Sequence, residues 1–134
     1  MIVPALHFPG TCAEAHALYQ KAFDMTINSI TYNHEAPSEY HDENPLTEET
    51  KNHVLHSECT IYGSRINMGD SDAAIIGNTI NLNVFLSSEE EVRKAFDVLK
   101  EGGTVDTEPG PQFWSPMYCA LQDRFGVHWQ IMIE

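Results

Sequence analysis

Basic residues are scarce. Seven Lys and Arg stand against twenty Asp and Glu in 134 residues, a formal net charge of -13 at pH 7. Such a surplus repels phosphate backbones and anionic lipid, so nucleic acid and acidic membrane surfaces are poor partners. Long apolar runs are also missing, and none approaches the roughly 20 residues a bilayer-crossing helix requires. No cationic stretch followed by an apolar core and a small-residue cleavage site is present, so a cytoplasmic location is expected. Cysteine is sparse and odd in number: Cys12, Cys59 and Cys119 contain no close pair, which argues against a disulfide framework and favours small buried thiols. Glycine-rich nucleotide loops, serine elbows and His-Glu-x-x-His runs are absent too.

What is present is a repeated order of elements, in a length that suits one domain with its own core. Val3, Ala5 and His7 alternate with Pro4, Leu6 and Phe8, which predicts a strand, and Pro4 places it at an edge or strand start. Thr11 with Glu14 forms a capping-box pattern for a helix over 12–23, whose Ala15, Leu18, Tyr19, Ala22 and Phe23 make one packing face. A strand over 26–33 leads into the acidic stretch 34–52, read as a long solvated loop with a helical turn near LTEET. His34, His41 and His53 lie in or beside that loop. HVLHSECTIYG and SRINMGD predict two antiparallel strands joined around Gly63-Ser64, and NTINLNVFL a further strand. Ser87 or Ser88 caps a helix over 89–101, ended by Gly102-Gly103. TVDTEPGPQF then carries a short strand into a proline-rich bend, and SPMYCALQD and VHWQIMIE form a last hairpin. Asp70 and Asp123 fall at strand ends, where turn hydrogen bonds account for them.

The order is strand, helix, three strands, twice over, and QKAFDM at 20–25 recurs as RKAFDV at 93–98, an offset of 73 residues. The predicted fold class is α+β: a single domain of paired βαβββ modules, 1–70 and 78–134, forming a curved mixed sheet around a cleft. Alternation sets His7 against Leu6 and Phe8, Asn67 against Ile66 and Met68, Asn81 and Asn83 against Leu82 and Val84, and Gln130 against Trp129 and Ile131. The apolar sides suit a helix layer. The polar sides are either solvated sheet or the lining of a cavity. Asn and Gln offer donor and acceptor without charge, so these amides either satisfy one another or orient a small polar ligand. Phe113, Trp114, Met117 and Tyr118 read as pocket wall, interface or core, and Trp129 and Phe125 as core. His56 is the candidate acid/base group, with a structural role beside Glu58 as the alternative.

The segments FPGTCAEAHALYQKAF, HVLHSECTIYG, MGD at 68–70, GG at 102–103 and FWSPMYCALQDRFGVHWQI resemble the vicinal oxygen chelate superfamily of glyoxalases, bleomycin resistance proteins and extradiol dioxygenases. Within it they resemble most the PhnB-like branch, whose members have often been labelled as similar to 3-demethylubiquinone-9 3-methyltransferase. The resemblance covers nearly the whole chain outside the acidic loop. It implies a glyoxalase-like fold, a cleft for a small molecule and a homodimer. Metal-dependent members place ligands on the inner faces of the first and fourth strands of each module, and those places fall here at His7, Asn67, Asn81 and Gln130. One imidazole and three amides make a poor site for zinc, nickel or manganese. The expectation is therefore a small-molecule-binding protein with no cofactor, its ligand held by His7, Asn67, Asn81, Asn83, Trp114, Tyr118 and Gln130. The alternative is a metal-assisted lyase, isomerase or dioxygenase that uses a divalent transition metal through His7 and Glu58. The methyltransferase label has no glycine-rich strand-to-helix fingerprint behind it.

Overall fold

A computed structural model describes every residue, 1–134, and divides into two compact units, Met1–Ala74 and Ile75–Glu134. The first contains β1 (Ala5–Phe8), α1 (Cys12–Phe23), β2 (Thr26–Tyr32), a 3₁₀ turn (Asn33–Glu35), α2 (Ser38–Glu43), β3 (Val54–Ile61) and β4 (Ser64–Asp70). The second contains β5 (Leu82–Leu86), α3 (Glu89–Leu99), β6 (Thr104–Gln112), β7 (Ser115–Gln122) and β8 (His128–Ile133). Each has a four-stranded sheet, in the corresponding orders β1-β4-β3-β2 and β5-β8-β7-β6. The first and last strands of each unit pair in parallel and the other neighbours antiparallel, so both sheets are mixed and the class is α+β. No helix is long and apolar enough to cross a membrane.

In α1 the predicted face is buried together with Cys12 and His16, and it packs on β3 and β4. Burying each of its large side chains contributes about 1.5–3 kcal/mol. Its start departs from the expected capping box: Thr11 occupies the N-cap position but its side chain caps nothing. The Cys12 N–H instead donates to Asp70 Oδ1 at 2.9 Å, while Asp70 Oδ2 accepts the Val54 N–H at 2.8 Å. One carboxylate thus joins the starts of α1 and β3 to the end of β4, which replaces the local turn role expected of it. Its charge also complements the helix dipole.

Several boundaries shift for identifiable reasons. Tyr62 (φ 46) and Gly63 (φ 81) both take left-handed conformations, so the β3-β4 turn centres on them and Ser64 already belongs to β4. The short helix of the acidic stretch is α2, not LTEET, which closes a turn through the Lys51 N–H to the Thr47 carbonyl at 2.9 Å. Nor is that stretch merely solvated. The Asn33 N–H donates to the His53 carbonyl at 3.0 Å and the His34 N–H to that of Lys51 at 3.1 Å.

In the second unit Ser88 Oγ accepts the Glu91 N–H at 3.2 Å, and α3 ends at Leu99 rather than Glu101. Strand β5 begins at Leu82, which leaves Asn81 outside it. The expected proline bend is instead part of β6, which runs through Pro109 and Pro111 with repeated register breaks. An edge strand tolerates this because its outer N–H groups need no partner strand. Trp129 is core, whereas Phe125 is half-buried beneath the Arg124 guanidinium, 4.7 Å from its ring centroid.

Candidate functional site on the open sheet faces

In β5, Val84 and Leu86 are buried on the α3 side, and Asn83 and Phe85 are exposed on the other. Asn83 pairs with Gln130, which pairs in turn with Ala120; Phe85 pairs with Met132, which pairs with Tyr118. Adjacent strands lie about 4.8 Å apart, so the two amides can reach one small ligand. The neighbouring row is apolar and aromatic. Tyr118, Ala120 and Met132 form a compact buried cluster. The Trp114 ring meets Tyr118 edge-on at 5.1 Å between centroids, and Phe113 meets Trp114 at 4.7 Å. Trp114 is half exposed and Phe113 fully so, whereas Met117 and Tyr118 are buried. Burial, then the neighbouring Cys119 and Asp106, push the Tyr118 phenol above its ordinary range, which keeps it a neutral donor. Asn83, Gln130, Tyr118 and Trp114 are therefore brought together, while Asn81 stands exposed ahead of the strand.

The open face of the first sheet is more polar. Asn67 pairs with Ala5 and Glu58, His7 with Gly69, and His56 with Thr31. The Arg65 guanidinium holds two of these groups: its Nη2 donates to Glu58 Oε1 at 2.6 Å and its Nε to Asn67 Oδ1 at 3.1 Å. Glu58 is thus the partner of Arg65, not of His56, which is exposed. His7 and Glu58 lie on β1 and β3 with β4 between them, and Glu58 is level with Ala5 rather than His7, which sets them about 12 Å apart by strand spacing and rise. Gly69, the register partner of His7, stands at a close approach, since a Cβ there would meet the Leu55 carbonyl oxygen at 2.8 Å.

A buried polar cluster beneath α1 was not singled out from the sequence. His16 Nε2 lies 2.8 Å from Ser57 Oγ and 3.7 Å from Cys12 Sγ, and Ser57 Oγ lies 3.8 Å from Cys59 Sγ. Because Ser57 Oγ donates its hydrogen to the Met68 carbonyl at 2.9 Å, it accepts from His16, which fixes the Nε2–H tautomer. Burial lowers the His16 imidazole, against a smaller opposing effect of Asp70, and so keeps it neutral. Burial, reinforced by Asp70 and Cys59, raises the Cys12 thiol. It also raises Cys59, and it pushes Cys119 up to about 12. All three thiols are free, buried and protonated, a structural rather than nucleophilic set. The signal was available: Cys12 and His16 stand four residues apart, at helical spacing with Tyr19 of the predicted packing face of α1.

This fold and the sequence match define a family. The chain belongs to the Glyoxalase/Bleomycin resistance protein/Dioxygenase superfamily, whose family model matches residues 2–131. Protein YjdN of Escherichia coli (strain K12) is 27% identical over 136 residues, covering 97% of this chain and 92% of that protein. Protein PA1353 from Pseudomonas aeruginosa has a TM-score of 0.80 at 26% identity, over 100% of this chain and 97% of that one. The PhnB protein from Bacillus cereus has a TM-score of 0.79 at 27% identity, over 99% and 98% of the respective chains. The fold is glyoxalase-like, with two four-stranded sheets that do not close, and its neighbours are PhnB-like, as the sequence resemblance implied.

Proposed function

We propose that this protein binds a small organic molecule on the open face of the second sheet, without an obligatory metal. The observation that carries the reading is the pairing of the exposed Asn83 with Gln130 beside the half-exposed Trp114 ring, which packs on the buried Tyr118. Two neutral amides orient a polar group of the ligand, the phenol adds a donor, and the aromatic surface takes up a planar or apolar body. The divalent-metal alternative fits the residues less well. Glu58 and Asn67 are both engaged by Arg65, and amide oxygens neither neutralise a divalent ion nor bind it strongly. This is a binding reading and gives His56 no catalytic step. The methyltransferase label in the name of the Bacillus cereus protein is not carried over, because no glycine-rich strand-to-helix turn stands here to hold a methyl donor. A cytoplasmic homodimer completes the reading, and sedimentation giving only monomer at micromolar concentration would remove the dimer.

Trp114 is exposed and Trp129 buried, so ligand-dependent fluorescence reports chiefly on Trp114. Titration with a panel of planar organic molecules should give saturable quenching, weakened about tenfold by Asn83→Leu or Gln130→Leu. No saturable response across the panel, or unchanged affinity in both variants, refutes the site. Elemental analysis of protein purified without chelator separates the alternative: one retained transition metal per chain, lost in His7→Ala, would establish the metal-assisted reading instead.

A further inference from the structure

The aromatic part of the second sheet's open face selects its ligand further. Phe85, Phe113 and Trp114 are 52%, 98% and 49% exposed, a large amount of ring surface left to water in one unit. Phe113, Trp114 and Tyr118 follow one another at right angles. Phe113 meets Trp114 at 90° with centroids 4.7 Å apart, and Trp114 meets Tyr118 at 85° and 5.1 Å. Perpendicular contacts leave ring faces bare that stacking would cover, and a ring face is the negative side of the aromatic quadrupole, which attracts a cation within about 6 Å of the centroid.

The charges of this face agree with a cationic occupant. None of β5, β6, β7 and β8 carries Lys or Arg. The basic residues of this unit are Arg93 and Lys94 on α3, Lys100 at its end, and Arg124 in the β7-β8 turn, where its guanidinium covers Phe125. His128, the imidazole of these strands, is level with Gln122, four residues and about 13 Å along β8 from Met132, the partner of Tyr118. A carboxylate is closer. After burial and Cys119, the exposed Asp106 is the further cause that raises the Tyr118 phenol, which puts its charge near the rings. An anion would meet that carboxylate with no cation to offset it, and a primary ammonium would need acceptors for its N–H groups that bare rings do not supply. A quaternary ammonium has no N–H to satisfy, so its charge passes from water to ring faces at little cost. We infer that the ligand of this site is an organic cation of the quaternary ammonium class, its alkylated nitrogen held by Trp114, Phe113 and Tyr118 and its polar end by Asn83 and Gln130. This rests on the binding site proposed above and adds the charge of its ligand. Ala120, the partner of Gln130, is two residues from Tyr118 on β7, so the polar and aromatic ends stand about 7 Å apart, a span that a choline ester bridges.

Acetylcholine and 3,3-dimethylbutyl acetate test the charge, because they share shape and ester and differ in the ammonium nitrogen, which is carbon in the second. Binding is read from the side-chain amide resonances of Asn83 and Gln130 in the full chain at fixed ionic strength. The cation should saturate the site at least about fivefold more tightly than its neutral isostere. In Trp114→Leu that preference should fall below about twofold, and Trp114→Phe, which restores a ring, should recover most of it. Asp106→Asn should lower it by about twofold. Asn83→Leu, read at Gln130, should weaken both esters alike. Equal affinity for the two esters overturns the cation and leaves the binding site standing. So does a preference that survives Trp114→Leu, since it then comes from the overall charge of -13 and not from the rings. No saturable response to either ester overturns the cation as well, and the panel of planar molecules then decides separately whether the site itself stands.

Discussion

Replacing Asp123 by Asn tests how the last hairpin is held. Asp123 is 2% exposed, and its Oδ1 accepts the Phe125 N–H at 2.9 Å and the Val127 N–H at 3.1 Å. Its Oδ2 accepts the indole N–H of Trp129 at 2.9 Å. In the variant the amide oxygen can keep both backbone donors, but the amide nitrogen then faces the indole N–H, donor against donor. The cost is a charge-assisted hydrogen bond and a buried indole left without an acceptor, about 2–3 kcal/mol. At roughly 4 °C per kcal/mol for a domain of this size, melting should fall by about 8–12 °C. Trp129→Phe carries its own packing cost, yet it removes the offended donor, so Asp123→Asn should cost about 1–2 kcal/mol less in that background. Urea unfolding of the four proteins, followed by circular dichroism and compared at equal m-value, measures this coupling. A coupling below about 0.5 kcal/mol would refute the account of Asp123 as the indole's acceptor.

Two further outcomes follow from the cluster under α1 and from the thiols. Burial holds the His16 imidazole below its ordinary 6.5, so the unfolded chain binds a proton that the folded chain excludes. The stability tied to this exclusion is complete above about pH 6.5 and is lost as pH falls toward the folded value. Urea midpoints should therefore drop between about pH 7 and about pH 5 less steeply in His16→Gln than in the wild type, and equal slopes would refute the role of His16. Burial also keeps Cys12, Cys59 and Cys119 protonated, so a thiol reagent near pH 7 should label none in the folded protein and all three in denaturant. Rapid native labelling of Cys12 would show that the cluster is open and reactive.

The sequence by itself determined the elements and their faces. Helix α1 was legible to its boundaries because apolar spacing is a local property, and α3 because Ser88, three glutamates and an apolar stripe agree over one stretch. Alternation likewise separated Asn83 and Gln130 from their apolar neighbours, and the quoted segments carried the family resemblance. Short-range chemistry was harder to read in the acidic stretch. LTEET has helix-forming residues, but Thr47 Oγ1 accepts the Thr50 N–H at 3.1 Å and closes a turn instead. The tertiary structure alone decided who meets whom. Asp70 caps α1 across 58 residues, and Arg65, not His56, is the partner of Glu58. The edge position of β6 turns a proline-rich bend into a strand, and the folded acidic stretch borders an open pocket that no spacing announces. Periodicity states which way a side chain points. Hydrogen bonds, charge pairs and enclosed volume depend on distances through space, which are fixed only when the strands take their register.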